Sequence, residues 1–205
     1  MTTYAWPNTR DFLPRSAEWR IVDPNQRSND SPLSGYSQTV SMPGAKWGWV
    51  LEFGHHDDAR REAIEAFLLR LSGRQHRISL WDLKRPRPRG TCNLGGVTLQ
   101  ASAAQFAETL QLTGCGAGRT LLAGDWIGLA TGQVVRTVAD ATANGAGQMT
   151  VEVRHMLRTA AAAGSAVTLD RPSALYVRTD SNLAMPRQPG RAQPEFTVEF
   201  VETFA

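Results

Sequence analysis

The chain has 205 residues, a formal net charge of +3 at pH 7 and a sequence pI of about 9.2. Hydrophobic residues make up 41% of it and charged residues 20%, which excludes disorder by composition. No run approaches the ~18 apolar residues of a membrane-spanning helix, and the first seven residues lack the basic and apolar segments of a signal peptide. Of the 22 cationic residues 20 are arginines, a bias that a GC-rich genome or fork-shaped contacts with carboxylates and phosphates would produce.

The two cysteines, Cys92 and Cys115, have 22 residues between them. Zinc sites commonly use two cysteines separated by two to four residues, and this spacing is absent. Since no signal peptide is visible, we expect two free thiols, with a disulfide as the alternative.

The N-terminal third contains the clearest strand patterns. Its first 35 residues are rich in Pro, Asn, Ser and Asp, which indicates turns and short extended segments, and one strand is predicted at residues 18–22. Apolar and polar residues then alternate at residues 36–42 and 47–53, on either side of a turn signal at residues 43–46. We therefore predict a hairpin with one large apolar face. Trp47 and Trp49 lie on this face, and we expect them to pack in the core; the alternative is an exposed binding pair.

An amphipathic helix is predicted directly after this hairpin. Asp57 and Asp58 provide an N-cap and two acidic residues at the helix start, and Gly73 is placed to end the helix in the left-handed conformation. The arginines, including Arg61, lie mostly off the apolar face. That face consists of Ala63, Ile64, Phe67, Leu68 and Leu71. With a further strand predicted at residues 77–81, these elements form an α+β unit.

The character of the sequence changes after the basic, proline-broken segment of residues 84–90. Residues 91–174 are rich in Gly, Ala, Thr and Val and poor in aromatic residues. Short β-like pieces separated by turn signals recur there, at residues 97–100, 126–129, 133–138, 149–153 and 166–169. Strands of this length and spacing predict a small β-barrel or sandwich.

The C-terminal residues return to the style of the N-terminal ones. Strands are predicted at residues 175–177 and 196–204, and the apolar second strand requires a sheet, the nearest unfinished one being the N-terminal sheet. We therefore predict a mainly β (α+β) protein. A β-sandwich or hairpin domain with one amphipathic helix, formed by residues 1–90 and 175–205, is interrupted by an inserted small β-barrel domain of residues 91–174. The charge excess lies in residues 1–90, which carry 14 cations and 10 anions.

Candidate chemical sites are few. The run of residues 55–58, His-His-Asp-Asp, is a weak metal candidate because adjacent side chains point apart, and we interpret it as a helix start capped by Asp58. The glycine-rich residues 114–119 lack the Gly-Lys-Ser/Thr ending of a phosphate loop, and we interpret them as a loop of the inserted domain. The sequence predicts no catalytic residue, no metal site and no cofactor.

One basic cluster stands out, formed by Arg85, Arg87 and Arg89 together with Lys84. Nucleic-acid binding would require interleaved aromatic side chains or a recognised module, and Trp81 is the one aromatic residue nearby. Alternation with prolines favours a stiff extended segment whose arginines meet acidic surface on the same chain or on a neighbour. Arg85, Arg87 and Arg89 are therefore the candidate oligomer-interface residues.

A resemblance to a known family is carried by segments spread over the chain from about residue 36 onward. They are residues 46–53, 63–68, 71–74, 87–90, 123–127, 153–158 and 196–204. Together they resemble the distal tail proteins of long-tailed bacteriophages, through architectural patterns and not through catalytic signatures.

The resemblance implies a belt domain that assembles into a six-fold ring and a second domain that projects outward. It implies a structural, non-enzymatic virion component at the tail tip, made in the host cytoplasm. The implied partners are further copies of the chain, six in all by the family's pattern, together with the tail tube protein and the tip hub protein. The resemblance implies no membrane and no nucleic-acid partner. The inserted domain is too short for a large carbohydrate-binding extension. Alternatives are a terminator or hub component, a nucleic-acid-binding module that uses residues 84–89, and a small hydrolase.

Overall fold

A computed structural model describes residues 1–22, 26–41, 44–54, 57–180, 182, 184–189 and 194–204, without the side chains of residues 26, 27, 40 and 41. The described chain is mainly β with one α-helix, which confirms the predicted fold class. Within the described residues, no helix has the length and apolar character needed to cross a membrane.

The strands are short and are numbered here in chain order. They are β1 (Thr3–Ala5), β2 (Ser16–Val22), β3 (Gln26–Asp30), β4 (Ser37–Ser41), β5 (Lys46–Phe53), β6 (Arg77–Leu80), β7 (Thr98–Leu99), β8 (Thr109–Thr113), β9 (Thr120–Leu121), β10 (Trp126–Leu129), β11 (Val134–Thr137), β12 (Ala141–Thr142), β13 (Met149–Arg154), β14 (Val167–Thr168), β15 (Ala174–Arg178) and β16 (Phe196–Glu202). The helix α1 spans Asp58–Arg70, and one turn of 3-10 helix spans Arg10–Phe12.

The chain divides into two compact units. The first unit contains residues 1–22, 46–84 and 175–205, and the second contains residues 23–45 and 85–174. From the sequence, the inserted domain is expected to start at residue 91, and residues 23–45 are expected to belong to the outer domain. The structure groups both residues 85–90 and residues 23–45 with the second unit. For residues 89 and 90 the reason is a set of backbone hydrogen bonds to a buried aspartate, described below.

The first unit is built on a six-stranded sheet in the order β1-β6-β15-β16-β5-β2. The short β1 runs parallel to β6, and β16 pairs antiparallel with β5 from Phe196 opposite Phe53 to Val201 opposite Gly48. The prediction that the C-terminal strand completes the N-terminal sheet is therefore confirmed.

The predicted hairpin between residues 36–42 and 47–53 is wrong in its pairing, although both segments contain strands. β5 pairs with β2, whereas β4 pairs with β3. The turn lies at residues 31–36, where the amide of Ser31 donates to the Tyr36 carbonyl at 2.9 Å and the amide of Gly35 donates to the Ser31 carbonyl at 3.0 Å. The sequence of β3, Gln-Arg-Ser-Asn-Asp, has no apolar residue, so its strand was not predicted. Residue 42 of the first predicted strand and residue 43 of the expected turn lie outside the described residues.

Aromatic rings fill the core of the first unit. Trp47, Trp49, Leu51 and Phe53 alternate along one face of β5 and are at most 3% exposed, as expected for core residues. Trp6 packs edge-on against Phe67 and Phe200, with ring centroids 5.5 and 5.9 Å apart, and Phe53 stacks on Phe196 at 4.9 Å. Such pairs combine a large buried area with favourable ring geometry, so they hold α1 on the sheet.

The ends of α1 follow the predicted signals with two corrections. Asp57 is the N-cap, because its carboxylate accepts the amide of Arg60 at 2.9 Å, while Asp58 is the first helical residue. The expectation that Asp58 caps the helix is therefore off by one position. Gly73 has the predicted left-handed conformation, with φ of 66°, but the helix ends earlier, with Leu71 as C-cap, and Ser72 is already left-handed with φ of 46°.

The second unit contains a nearly closed, barrel-like sheet in the order β14-β10-β11-β13-β8-β7. Its two ends meet where Thr98 bridges to Ala166, next to a hydrogen bond from the Val167 amide to the Val97 carbonyl at 3.0 Å. The interior is aliphatic and includes Leu110, Leu112, Ile127, Val135, Val151, Val153, Leu157 and Leu169. The small barrel expected between residues 91 and 174 is therefore present.

Candidate assembly surfaces

The first candidate surface is the outer edge of the first unit's sheet. β2 is the outermost described strand on that side, and its seven residues pair with β5 alone within the described part of the chain. The opposite edge strand, β1, has three residues and is followed closely by Pro7, and short strands and prolines both limit edge-to-edge pairing. β2 is thus the edge that is better suited to accept a strand from another chain.

Two large apolar side chains of β2 lie on the core face of the sheet. Trp19 and Ile21 lie opposite Trp49 and Trp47 in the β2–β5 register, so all four side chains share one face. Trp49 and Trp47 are buried, whereas Trp19 is 39% and Ile21 51% exposed. The core face is therefore partly open to solvent at β2. Exposed apolar side chains beside an open edge are typical of strand-addition interfaces.

The opposite face of β2 is polar and carries an ion pair to another strand of the same sheet. Arg20 Nη2 lies 2.6 Å from Glu199 Oε2, so a side chain on β2 reaches across β5 to β16. Gly48 makes this crossing possible, because a Cβ at that position would lie 2.9 Å from Cγ of Arg20. Both charged side chains are more than a third exposed, so we expect the pair to orient β2 and to add little stability.

The second candidate surface is the two-stranded hairpin of β3 and β4. Among the described residues these two strands pair only with each other, from Gln26 opposite Ser41 to Asp30 opposite Ser37. At the turn, Leu33 is 98% and Tyr36 80% exposed. An isolated two-stranded hairpin is marginally stable in water, and it gains stability when another surface covers it.

The predicted interface arginines form a third feature, contained in the second unit. Arg85, Arg87 and Arg89 are exposed, while the intervening Pro86 and Pro88 are half-buried, so the alternation directs the arginines to solvent. Arg87 Nε lies 3.2 Å from Asp170 Oδ1, and Arg89 Nη2 donates to the Ala123 carbonyl at 2.6 Å. These contacts lie within the unit, and the role of the three arginines in an oligomer interface stays a prediction.

A buried aspartate fixes the backbone of this basic segment. Asp125 is 3% exposed, and its Oδ1 accepts the amide of Arg89 at 2.8 Å. Its Oδ2 accepts the amides of Gly90 and Leu122 at 3.1 and 2.9 Å. Thr137 completes the network, since its hydroxyl donates to the Leu122 carbonyl at 2.6 Å. Residues 123–125 were interpreted as a turn and residues 126–129 as a strand, and nothing in this local pattern reveals that Asp125 binds the amides of residues 89 and 90.

A buried arginine organises the C-terminal loop of the first unit. Arg61 is 2% exposed, and its Nη1 and Nη2 donate to the carbonyls of Pro194 and Pro186, both at 2.7 Å. Its guanidinium lies 4.6 Å from the ring centroid of Phe196. Burial lowers the pKa of Arg61, and the neighbouring Glu65 opposes this effect.

The predicted apolar face of α1 therefore needs two corrections. Ile64, Phe67, Leu68 and Leu71 are buried as predicted, but Ala63 is exposed and Arg61, which was placed off the face, is buried. Arg61 precedes Ile64 by three residues, and this helical spacing is the signal that was available in the sequence. Its guanidinium is buried because two loop carbonyls and an aromatic face replace water.

Other chemical candidates behave as ordinary structure. Cys92 and Cys115 are free and buried, as expected for two thiols. Residues 114–119 connect β8 to β9 in the second unit, which agrees with their interpretation as a loop. No group of three or more His, Cys, Asp or Glu that could hold a metal ion occurs among the described residues. His55 and His56 of the weak metal candidate lie outside them.

No family model matches this chain, and no curated protein sequence matches it. The geometry defines a mainly β protein of two units that has an open sheet edge and an exposed hairpin.

Proposed function

We propose that the protein is a structural component of a phage tail, in which several copies form a ring at the distal end that joins the tail tube to the tip hub. The observation that carries the proposal is the open β2 edge with the exposed side chains of Trp19 and Ile21. An open strand edge of this kind favours aggregation unless another chain covers it. Such an edge is therefore expected in a subunit whose neighbours cover it on assembly.

Ring formation requires two different surfaces on each subunit. Head-to-tail contacts close into a ring when one face of a subunit binds a different face of its neighbour. The β2 edge and the β3–β4 hairpin are two such surfaces, one an open strand edge and the other an exposed turn with Leu33 and Tyr36. Both are available for contacts with other copies, and six copies are the number that the family resemblance suggests.

Electron microscopy of the purified protein tests this proposal. We expect closed rings with a central opening in negative stain, and we expect Ile21→Asp to reduce them, because it places a charge on the open edge. Leu69→Asp is the matched control, since Leu69 is 60% exposed and belongs to α1 and to neither β2 nor the β3–β4 hairpin. Rings that persist equally in both variants would exclude the β2 edge as a contact.

The same preparation distinguishes the nucleic-acid alternative. A strict monomer that binds DNA with strong salt dependence, and loses that binding when Arg85, Arg87 and Arg89 are replaced by alanine, would favour a binding module over a ring.

A further inference from the structure

The two thiols of the second unit form a contacting pair. Cys92 and Cys115 are 4% and 0% exposed and belong to the same buried core cluster. The adjoining backbone holds them together, since the Asn93 amide donates to the Cys115 carbonyl at 3.1 Å and the Asn93 side chain donates to the Gly114 carbonyl at 2.9 Å. Two segments that are distant in sequence are therefore fixed side by side at the cysteines.

This pair lies directly beneath the surface. Cys115 is flanked by exposed Gly114 and half-buried Gly116, and Cys92 is preceded by exposed Thr91. Both flanking glycines have positive φ, 83° for Gly114 and 89° for Gly116. Cys115 is fully buried and its amide donates to the Gly147 carbonyl at 3.0 Å, so its oxidation requires this short loop to open. The neighbouring Cys115 thiol and burial both raise the pKa of Cys92, so its thiol is protonated and unreactive while the loop is closed.

We propose that Cys92 and Cys115 are a reversible oxidation site, at which a small disulfide converts the two thiols into an intramolecular disulfide that ties residue 92 to the loop after β8. One thiolate of the pair attacks a sulfur of the small disulfide, which forms a mixed disulfide and releases one small thiolate. The second cysteine then attacks the protein sulfur of the mixed disulfide and releases the other. Two protein thiols are oxidised, the small disulfide is reduced to two thiols, and these take up the two protons.

The inference is independent of the proposed ring. It depends only on the contact between the two thiols and on their position below a glycine-rich loop. An oxidised pair would close a loop of roughly 20 residues, which restricts the unfolded chain and stabilises the second unit. The reduced protein would thus be the less stable form, and transfer from a reducing to an oxidising compartment would stabilise it without any change in sequence.

Incubation of the purified chain in buffers of oxidised and reduced glutathione tests the inference. We expect the mass to fall by two hydrogen atoms, a peptide linking Cys92 to Cys115 to appear, and the melting temperature of the second unit to rise on the order of 10 °C. A reducing agent should reverse all three changes. Cys92→Ala and Cys115→Ala are the matched controls and should show no shift in melting temperature between oxidised and reduced buffer.

A sample that is unfolded and refolded in the same oxidising buffer removes any barrier due to burial. Two thiols that remain free for alkylation in this refolded sample would overturn the inference. Separate glutathione adducts on each cysteine, or disulfides between chains on a non-reducing gel, would also overturn it. In each case the chain would not favour the intramolecular bond.

Discussion

Asp125 and Arg89 are 36 positions apart in sequence, yet the Asp125 carboxylate accepts the backbone amide of Arg89 at 2.8 Å. The same carboxylate holds the next amide, that of Gly90, at 3.1 Å. The backbone at the C-terminal end of the proline-spaced basic segment is therefore held in place, and with it the position from which Arg89 projects.

Removal of this carboxylate should destabilise the second unit. Asp125→Ala would remove the buried acceptor of three backbone amides, and we expect a loss of about 3 kcal/mol or more in the free energy of unfolding. Urea unfolding followed by tryptophan fluorescence measures it, since Trp126 is adjacent in sequence. Asp140→Ala is the control, because the exposed Asp140 carboxylate accepts the Ala123 amide at 2.7 Å. We expect this change to cost under about 1 kcal/mol, and equal effects of the two substitutions would contradict the role of Asp125.

Gly90 is expected to tolerate no side chain. A Cβ at this position would lie 2.1 Å from the backbone carbonyl oxygen of Thr120. Gly90→Ala should therefore separate the basic segment from β9 and lower stability by roughly 2–3 kcal/mol. Gly95→Ala is the matched control, since a Cβ there would meet no atom within 4 Å, and we expect a change within about 0.5 kcal/mol. Thermal unfolding of both variants makes the comparison, and a neutral Gly90→Ala would show that the two segments are not tightly packed.

Arg61 should control access to the C-terminal loop of the first unit. Arg61→Ala removes two charged hydrogen bonds to the Pro186 and Pro194 carbonyls, so we expect a loss on the order of 3 kcal/mol and faster tryptic cleavage after Arg187. Arg60→Ala changes the adjacent arginine, whose guanidinium instead donates to the carbonyls of Arg10, Asp11 and Leu13. Limited proteolysis read by mass spectrometry should show unchanged cleavage after Arg187 in Arg60→Ala. Cleavage after Arg187 that is no faster in Arg61→Ala than in the unchanged protein would contradict the role of Arg61 in holding this loop.

The three arginines of the basic segment are predicted to support assembly more than folding. A triple alanine variant of Arg85, Arg87 and Arg89 should shift the ring–monomer equilibrium toward monomer. Its melting temperature should fall only slightly, since the exposed Arg87–Asp170 pair contributes about 1 kcal/mol at most. A second triple variant, Arg10→Ala, Arg70→Ala and Arg74→Ala, removes the same charge from exposed positions of the first unit. Analytical ultracentrifugation compares the two, and rings of unchanged stability in the first variant would exclude an interface role.

The strands that the sequence predicted are those whose apolar residues alternate visibly. β5 and β16 show this period over most of their length, and both form one buried face. Leu110 and Leu112 of β8 alternate with polar residues in the same way, so this strand had a usable signal that was missed. β1 is only three residues long, and β3 contains no apolar residue. The formation of such strands depends on the strands they pair with, so their own sequence pattern does not predict them.

Strand pairing and the functional contacts were harder to predict. The alternation in β5 indicates a strand but does not distinguish β2 from β4 as its partner, because register depends on contacts distant in sequence. The charged residues Asp125 and Arg61 are buried because backbone groups remote in sequence satisfy them. Local composition places such residues on the surface, so their roles could not be predicted from it.

The mass of the assembled particle tests the central claim most directly. Native mass spectrometry over a concentration series should show one closed oligomer, with six copies of the 22.4 kDa chain as the number expected from the resemblance. A double variant, Leu33→Ser and Tyr36→Ser, should shift this species toward the monomer, because it removes the exposed apolar side chains of the hairpin turn. A chain that is monomeric at every concentration, with and without these substitutions, would contradict the proposal that it assembles into a ring.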